Sequence, residues 1–355
     1  MIPENWERRK FLAGAGAGTL AAGFYSEAAQ SQSTGKVPEK VSKVLTVVDF
    51  HNHYIGAAFP SIAGRGASAA GIAYWQKVNR NLSNPHALLS SIETAGIAAR
   101  VVSTPLEFLQ SPDDDVPPDR PKRINDQLAE LAGKNPGRIF GLATVDAYSG
   151  DAGALELTRA VRELGLRGVF VASAKNELLL DAPEARPTLV AAANLGVPIF
   201  IHPITDVQWS KRLARYGALG LRFNRGVINA ASLIALMESG TFEQLPSLRV
   251  VVTTLAIGGV LLASAPGDAR GAPRDRQGLL RRHVYIDTMG LRPTLIRSMV
   301  DILGAENILA GTDWPIFEEL AVPERLHEAL STCGLNAAEQ QMIASGNALK
   351  LLGIT

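Results

Sequence analysis

From residue 44 onward, short apolar runs rich in β-branched residues alternate with longer amphipathic stretches, the pattern of a parallel sheet covered by helices. Strands are expected at 44–50, 98–103, 139–145, 168–171, 198–201, 248–253, 284–286 and 308–310. Residues 44–50 are apolar except at Thr46 and Asp49, close to what a strand buried on both faces should show. Between the strands the spacing predicts helices, among them 124–132, 152–164, 183–195, 227–238 and 293–303, with 323–330, 337–343 and 344–352 closing the chain. Asn84-Pro85 reads as an N-cap and first helical residue, and Gly96 as the stop of that helix. Eight strands alternating with helices over this length point to an α/β fold, a closed (β/α)8 TIM barrel spanning 44–355, with an open doubly wound sheet as the runner-up.

The beginning of the chain departs from this pattern. Arg8-Arg9-Lys10-Phe11-Leu12 precedes the weakly apolar, Gly/Ala-rich run 13–24. This resembles a twin-arginine export signal over residues 1–29, with a cut after Ala28. A disordered or membrane-tethering tail is the alternative, and the run is too short and glycine-rich for a permanent span. Residues 30–43 are polar and read as a linker. A periplasmic or secreted location follows from the signal.

Lys plus Arg number 35 against 34 Asp plus Glu, with no block of like charge, which argues against a nucleic-acid partner. The single cysteine, Cys333, excludes an intramolecular disulfide and a thiolate metal cluster. Neither the glycines at 13–18 nor Gly258-Gly259 has the context of a phosphate loop.

In a barrel of this kind the chemistry sits where the strands end. The first strand runs into His51-Asn52-His53, and in an extended segment both imidazoles project to the same side. The fifth runs into His202, and the eighth into Asp313. Three imidazoles and a carboxylate suit a zinc-like ion with room for water or substrate. Taken singly, each has a bland reading as a hydrogen-bonded histidine or a turn aspartate. Only six histidines exist, and three fall at expected strand ends.

These residues lie in a wider set: Asp49-Phe-His-Asn-His53, Glu93-Thr-Ala-Gly-Ile97, Pro136-Gly-Arg-Ile-Phe-Gly141, Gly168-Val-Phe-Val171, Leu180-Asp-Ala-Pro183, Pro198-Ile-Phe-Ile-His-Pro203, Val284-Tyr-Ile-Asp-Thr288, Gly311-Thr-Asp-Trp-Pro315 and Gly346-Asn-Ala348. In this order the set resembles the amidohydrolase-related group that includes aminocarboxymuconate-semialdehyde decarboxylase and related metal-dependent decarboxylases and hydrolases. The resemblance implies one divalent ion held by His51, His53, His202 and Asp313. Zinc is the usual metal, with Mn2+ or Fe2+ as alternatives. It also implies hydrolysis or loss of CO2 from a small organic acid, lactone or amide. Expected partners are that small molecule, the twin-arginine translocation machinery and a second copy of the chain in a homodimer.

Two departures from the group matter. Its members carry an acid/base His in a His-x-Gly-Gly setting at strand six, where this chain has Ala256 before Ile257-Gly258-Gly259. Ile204 follows His202-Pro203, where many relatives carry Trp. Asp313 and Asp287 are the catalytic candidates that remain, Asp287 either acting on metal-bound water or orienting a ligand His. His86, His283 and His327 read as structural, and Lys175 as a solvated loop residue. Arg65, Arg80, Arg222 and Arg225 are candidates to bind a substrate carboxylate. The missing His also supports the alternative of a metal- and ligand-binding barrel without turnover.

Overall fold

The computed structural model describes residues 45–59, 69–111, 113–265, 275–289, 292–317 and 323–354. The signal and linker expected at 1–43, and Arg65, lie outside the described residues.

The strands are β1 (Val48–His53), β2 (Ala99–Ser103), β3 (Ile139–Gly141), β4 (Ala143–Thr144), β5 (Val169–Ala172), β6 (Ala174–Lys175), β7 (Leu178–Leu179), β8 (Ile199–His202), β9 (Val250–Val252), β10 (Val284–Asp287) and β11 (Ile308–Leu309). β3 and β4 are one strand interrupted at Leu142, and Leu142 N donates to Val102 O at 2.9 Å, tying that strand to β2. Parallel pairing runs β1-β2-β3 and β4-β5-β8-β9-β10-β11. The ends then meet: Phe50 N donates to Ala310 O, Asp313 N to His51 O and His53 N to Trp314 O, each at 2.8 Å. An open sheet would leave β1 and the segment after β11 as free edges. The eight strand positions instead close into a cylinder.

Inside the cylinder, Val48, Phe50, Val101, Leu142, Phe200 and Val251 pack together, and Ala348 and Leu352 from the last helix join them. A second apolar cluster lies between strands and helices, with Ile124, Leu128 and Leu131 of the helix Asp119–Lys134 at helical spacing. Asn84 caps its helix as expected, accepting from the amides of His86 and Ala87, and Gly96 ends it at φ 65°.

Several element boundaries differ from expectation for physical reasons. β1 extends through His53 because His51, Asn52 and His53 are buried among polar partners rather than turned to solvent. The helix expected at 227–238 runs Gly217–Glu238, and Met342–Gly346 is a π turn between two short helices. β6 and β7 form an antiparallel hairpin at the barrel mouth that no periodicity of the sequence announces.

Candidate metal centre

The site is built by an irregularity in β1. The pairing of β1 with β2 shifts register between Asp49 and Asn52. A bulge there breaks the strict alternation of faces. Phe50 and His51 both make edge contacts with the ring of Phe200 inside the barrel, while Asp49 and Asn52 both accept from Arg100 Nη1 on the other side. In a regular strand Asp49 would share a face with His51 and His53. The bulge keeps both imidazoles inward and turns that carboxylate away.

His51, His53 and His202 converge, with one ring nitrogen of each within 4.8 Å of the others. All three are at least 96% buried, with exposures of 1, 0 and 4%. Asp313 arrives from the loop after β11, Oδ1 standing 3.0 Å from His53 Nε2 and 3.5 Å from His51 Nε2. Its backbone is left-handed at φ 62°, a conformation that costs a non-glycine residue energy and that clusters at functional sites. Gly311 leads into this loop, and a Cβ there would stand 2.8 Å from Asp287 Cβ and 3.1 Å from His51 Cβ. Only glycine lets the loop pass this close.

The neighbours of the imidazoles fix their tautomers. Asp287 Oδ2 lies 2.7 Å from His51 Nδ1, so that nitrogen carries the proton and Nε2 presents its lone pair. Ser103 Oγ donates to Asn52 O at 3.2 Å, leaving it to accept from His53 Nδ1, also at 3.2 Å. His53 Nε2 is therefore bare as well. The two bare Nε2 atoms face each other at 3.2 Å, and Asp313 Oδ1 beside them is buried with no hydrogen-bond partner. Lone pairs and a carboxylate in this arrangement repel unless a cation lies among them, so the residues fit a divalent ion.

Electrostatics agree with that geometry. Burial works to lower the pKa of His51, yet Asp313 and then Asp287 raise it above 6.5 overall. At His53 burial prevails over Asp313 and the value falls.

Asp287 is fully buried behind His51, its Oδ1 accepting from Thr254 N, Thr254 Oγ1 and Met289 N at 3.1, 2.6 and 3.2 Å. That placement matches the orienting role rather than action on water. Ala256 is fully buried in a turn after β9 and brings no proton carrier to the site. His283 stacks on Phe242 and bonds Leu248 O, and His86 sits exposed in the first turn of its helix, both structural as expected.

Three residues were missed or misplaced by sequence reasoning. Glu107, in a 3-10 turn after β2, is only 7% exposed and puts Oε1 3.4 Å from His202 Nδ1. Arg225 Nη1 holds both its oxygens, at 2.9 and 3.0 Å, so this arginine grips a protein carboxylate. Nothing in Pro105-Leu-Glu-Phe108 marks that acid; only its distance from a strand end does. Lys175, expected to be solvated, is 14% exposed and paired with Asp146 at 2.8 Å. Its position on the β6-β7 hairpin folds it over the mouth. Arg80 is exposed at the end of its helix.

A cleft lined by Glu107, Asp146, Tyr148, Phe170, Lys175 and His202 opens beside the centre.

A family model described as amidohydrolase matches residues 48–354. The chain is 24% identical over 295 residues to 2-amino-3-carboxymuconate-6-semialdehyde decarboxylase of Dictyostelium discoideum, covering 79% of this chain and 80% of that one. It is 28% identical over 305 residues to gamma-resorcylate decarboxylase of Rhizobium sp. (strain MTP-10005), covering 78% and 90%. Among solved structures, 5-carboxyvanillate decarboxylase from Sphingomonas paucimobilis superposes with a TM-score of 0.72 at 21% identity, covering 88% of this chain and 100% of that one. A dihydroxybenzoic acid decarboxylase from Polaromonas sp. JS666, with bound manganese and 2-nitroresorcinol, gives 0.71 at 20% identity, covering 87% and 97%.

Proposed function

The chain belongs to the amidohydrolase family, and from that premise we propose that it is a metal-dependent carboxy-lyase acting on a small unsaturated or aromatic carboxylic acid. The observation that carries the reading is the meeting of three buried imidazoles and Asp313 beside a cleft, with two bare nitrogens face to face. The similarity to decarboxylases over most of the chain favours loss of CO2 over hydrolysis and favours an enzyme over a binding protein without turnover.

His51, His53, His202 and Asp313 would hold one divalent ion, zinc by ligand type or manganese as in the Polaromonas relative. When bound, the ion supplies Lewis-acid polarisation of a substrate oxygen. The protein's residues do the rest. Asp287 and Ser103 keep the first two imidazoles in the ligating tautomer. Glu107, clamped by Arg225, stands 3.4 Å from His202 Nδ1 and would favour the same tautomer there. The reaction breaks the bond between the carboxylate and its carbon, releases CO2 and leaves the electron pair on that carbon, which then takes a proton. With strand six occupied by Ala256, Asp313 is the residue proposed to carry that proton, on the oxygen facing away from the imidazoles.

The test is CO2 release from a panel of aromatic and unsaturated acids by the metal-loaded chain. Turnover that depends on the ion and disappears in Asp313→Asn supports the proposal. Release of an alcohol or amine from an ester or amide, without CO2, would replace it with hydrolysis.

The proposal extends to export of the folded, loaded chain by the twin-arginine route and to assembly as a homodimer. Export that survives replacement of Arg8 and Arg9 by lysine removes the first. A monomer mass by light scattering removes the second.

A further inference from the structure

The segment after β8 carries an apolar surface that faces outward. The helices Val207–Leu213 and Gly217–Glu238 are joined by the turn Ala214–Tyr216. The first half of the second helix turns Gly220 and Asn224, one turn apart, toward the protein. Its solvent side should then be polar, as on a surface helix of a globular domain. It shows instead Leu219, Leu221 and Phe223 at exposures of 72, 50 and 56%, with Tyr216 at 53% just before them. Single exposed leucines are ordinary, but large apolar side chains clustered over 216–223 mark a surface that something else covers. The segment sits at the mouth end of the barrel. Its first helix begins shortly after His202, and Trp209 packs with Ile204, Ile228 and Ala174 of the β6-β7 hairpin.

The charge of the segment indicates what covers it. From Val207 to Met237 the chain has Lys211, Arg212, Arg215, Arg222 and Arg225 and no Asp or Glu. Arg225 is spent on Glu107. Lys211, Arg212 and Arg215 are exposed, and none of the three is paired with a carboxylate among the described residues. Two of them lie on aromatic rings, Arg212 5.5 Å from the centroid of Trp209 and Arg215 4.8 Å from that of Tyr216. Trp209 in turn meets Phe223 edge-on at 6.3 Å. Cations interleaved with aromatic and aliphatic side chains match the boundary of an anionic bilayer. There the rings and stems enter the acyl edge while the charged heads stay at the phosphates. A second copy docked by this face would bring the cations toward their own images across a twofold axis, which costs affinity. No described helix is long and apolar enough to cross a membrane, so the contact is one that lies on the bilayer.

We propose that the helix Val207–Leu213 and the first half of the helix Gly217–Glu238 dock the chain on an anionic lipid surface. Leu219 and Phe223 enter the bilayer edge, and Lys211, Arg212 and Arg215 sit at the lipid phosphates. The inference is independent of the proposed chemistry.

The experiment is co-sedimentation of the full chain with vesicles of phosphatidylcholine alone and of phosphatidylcholine mixed with phosphatidylglycerol. The chain should bind the mixed vesicles more tightly than the plain ones, and the difference should shrink as salt is raised. Lys211→Gln/Arg212→Gln/Arg215→Gln should cost about 100-fold in affinity for the mixed vesicles, at about fivefold per cation. Leu219→Ser/Phe223→Ser should cost at least about tenfold. Both variants change side chains that stand in solvent, so the melting temperature should hold. Residues 1–24, with their own cations and apolar run, are the same in every sample, so the difference between native chain and variants decides the outcome. The inference is overturned if the native chain binds neither vesicle or both equally, or if either variant binds the mixed vesicles as the native chain does. It is also overturned if the face serves a protein. That result would be a native dimer that Leu219→Ser/Phe223→Ser converts to a monomer, or capture of polyglutamate without capture of vesicles.

Discussion

Strand β1 serves two buried ionic clusters that lie on opposite faces of one bulge. On the outer side, Asp49 Oδ1 accepts from His51 N and Thr312 N, and Oδ2 from Arg100 Nη1 and Thr312 Oγ1. Arg100 also bonds Ser91 Oγ at 3.1 Å and lies over the Trp314 ring, 5.3 Å from its centroid. On the inner side, His51, His53 and Asp313 present two bare nitrogens and an unbonded carboxylate oxygen to one point. The outer carboxylate is saturated by the chain, and the inner group is complementary to something the chain lacks. Burial of charge alone does not mark a functional site, and neither does a single unmet donor such as Arg100 Nη2; several lone pairs converging on one point do.

Removing a partner should therefore act on different quantities in the two clusters. Arg100→Leu strands Asp49 and should destabilise the fold by about 3–5 kcal/mol in denaturant titration. His53→Leu, on the inner side, should cost the metal-free chain far less, since it relieves a repulsion. If the two losses of stability are equal, the distinction between the clusters is wrong.

Next in size is Asp287→Asn, which loosens the tautomer of His51. Metal affinity and turnover should drop about 10–100-fold with little change of fold, read by chelator competition and circular dichroism. Glu107→Gln should show the same signature through His202 at the low end of that range, about tenfold. A loss of stability without a loss of metal affinity would assign Glu107 to the outer kind of cluster.

The smallest expected effect is on pH dependence. In the metal-free chain His51 has a pKa above 6.5, so its protonated form contributes stability that is present below 6.5 and fades as pH rises through the raised value. The ion requires the bare nitrogen, so loading has the opposite sign. The melting temperature gained on adding metal should shrink as pH falls through the raised pKa of His51. A gain that is flat across that range contradicts the assignment of His51.

These contrasts also explain what the sequence revealed. His51, His53, His202 and Asp313 were legible because each lies at or within three residues of the end of an expected strand, where a barrel gathers its chemistry. The barrel was legible from the alternation of elements, since parallel strands buried on both faces read as continuous apolar stretches. The bulge was not, because Asp49-Phe-His-Asn-His53 obeys simple alternation on paper and only the pull of Arg100 and Thr312 on Asp49 breaks it. Glu107 and Lys175 were hidden for a related reason. One lies in a short turn and the other on a hairpin, and neither has a periodicity to fix its direction.

The measurement that tests the account most directly is the metal content of the full chain purified without chelator, for the native protein and for His53→Leu. About one divalent ion per native chain, retained through dialysis and lost in the variant while the fold persists, is the predicted result. A native chain that holds no ion after saturation with zinc or manganese, or a variant that holds it equally well, contradicts it.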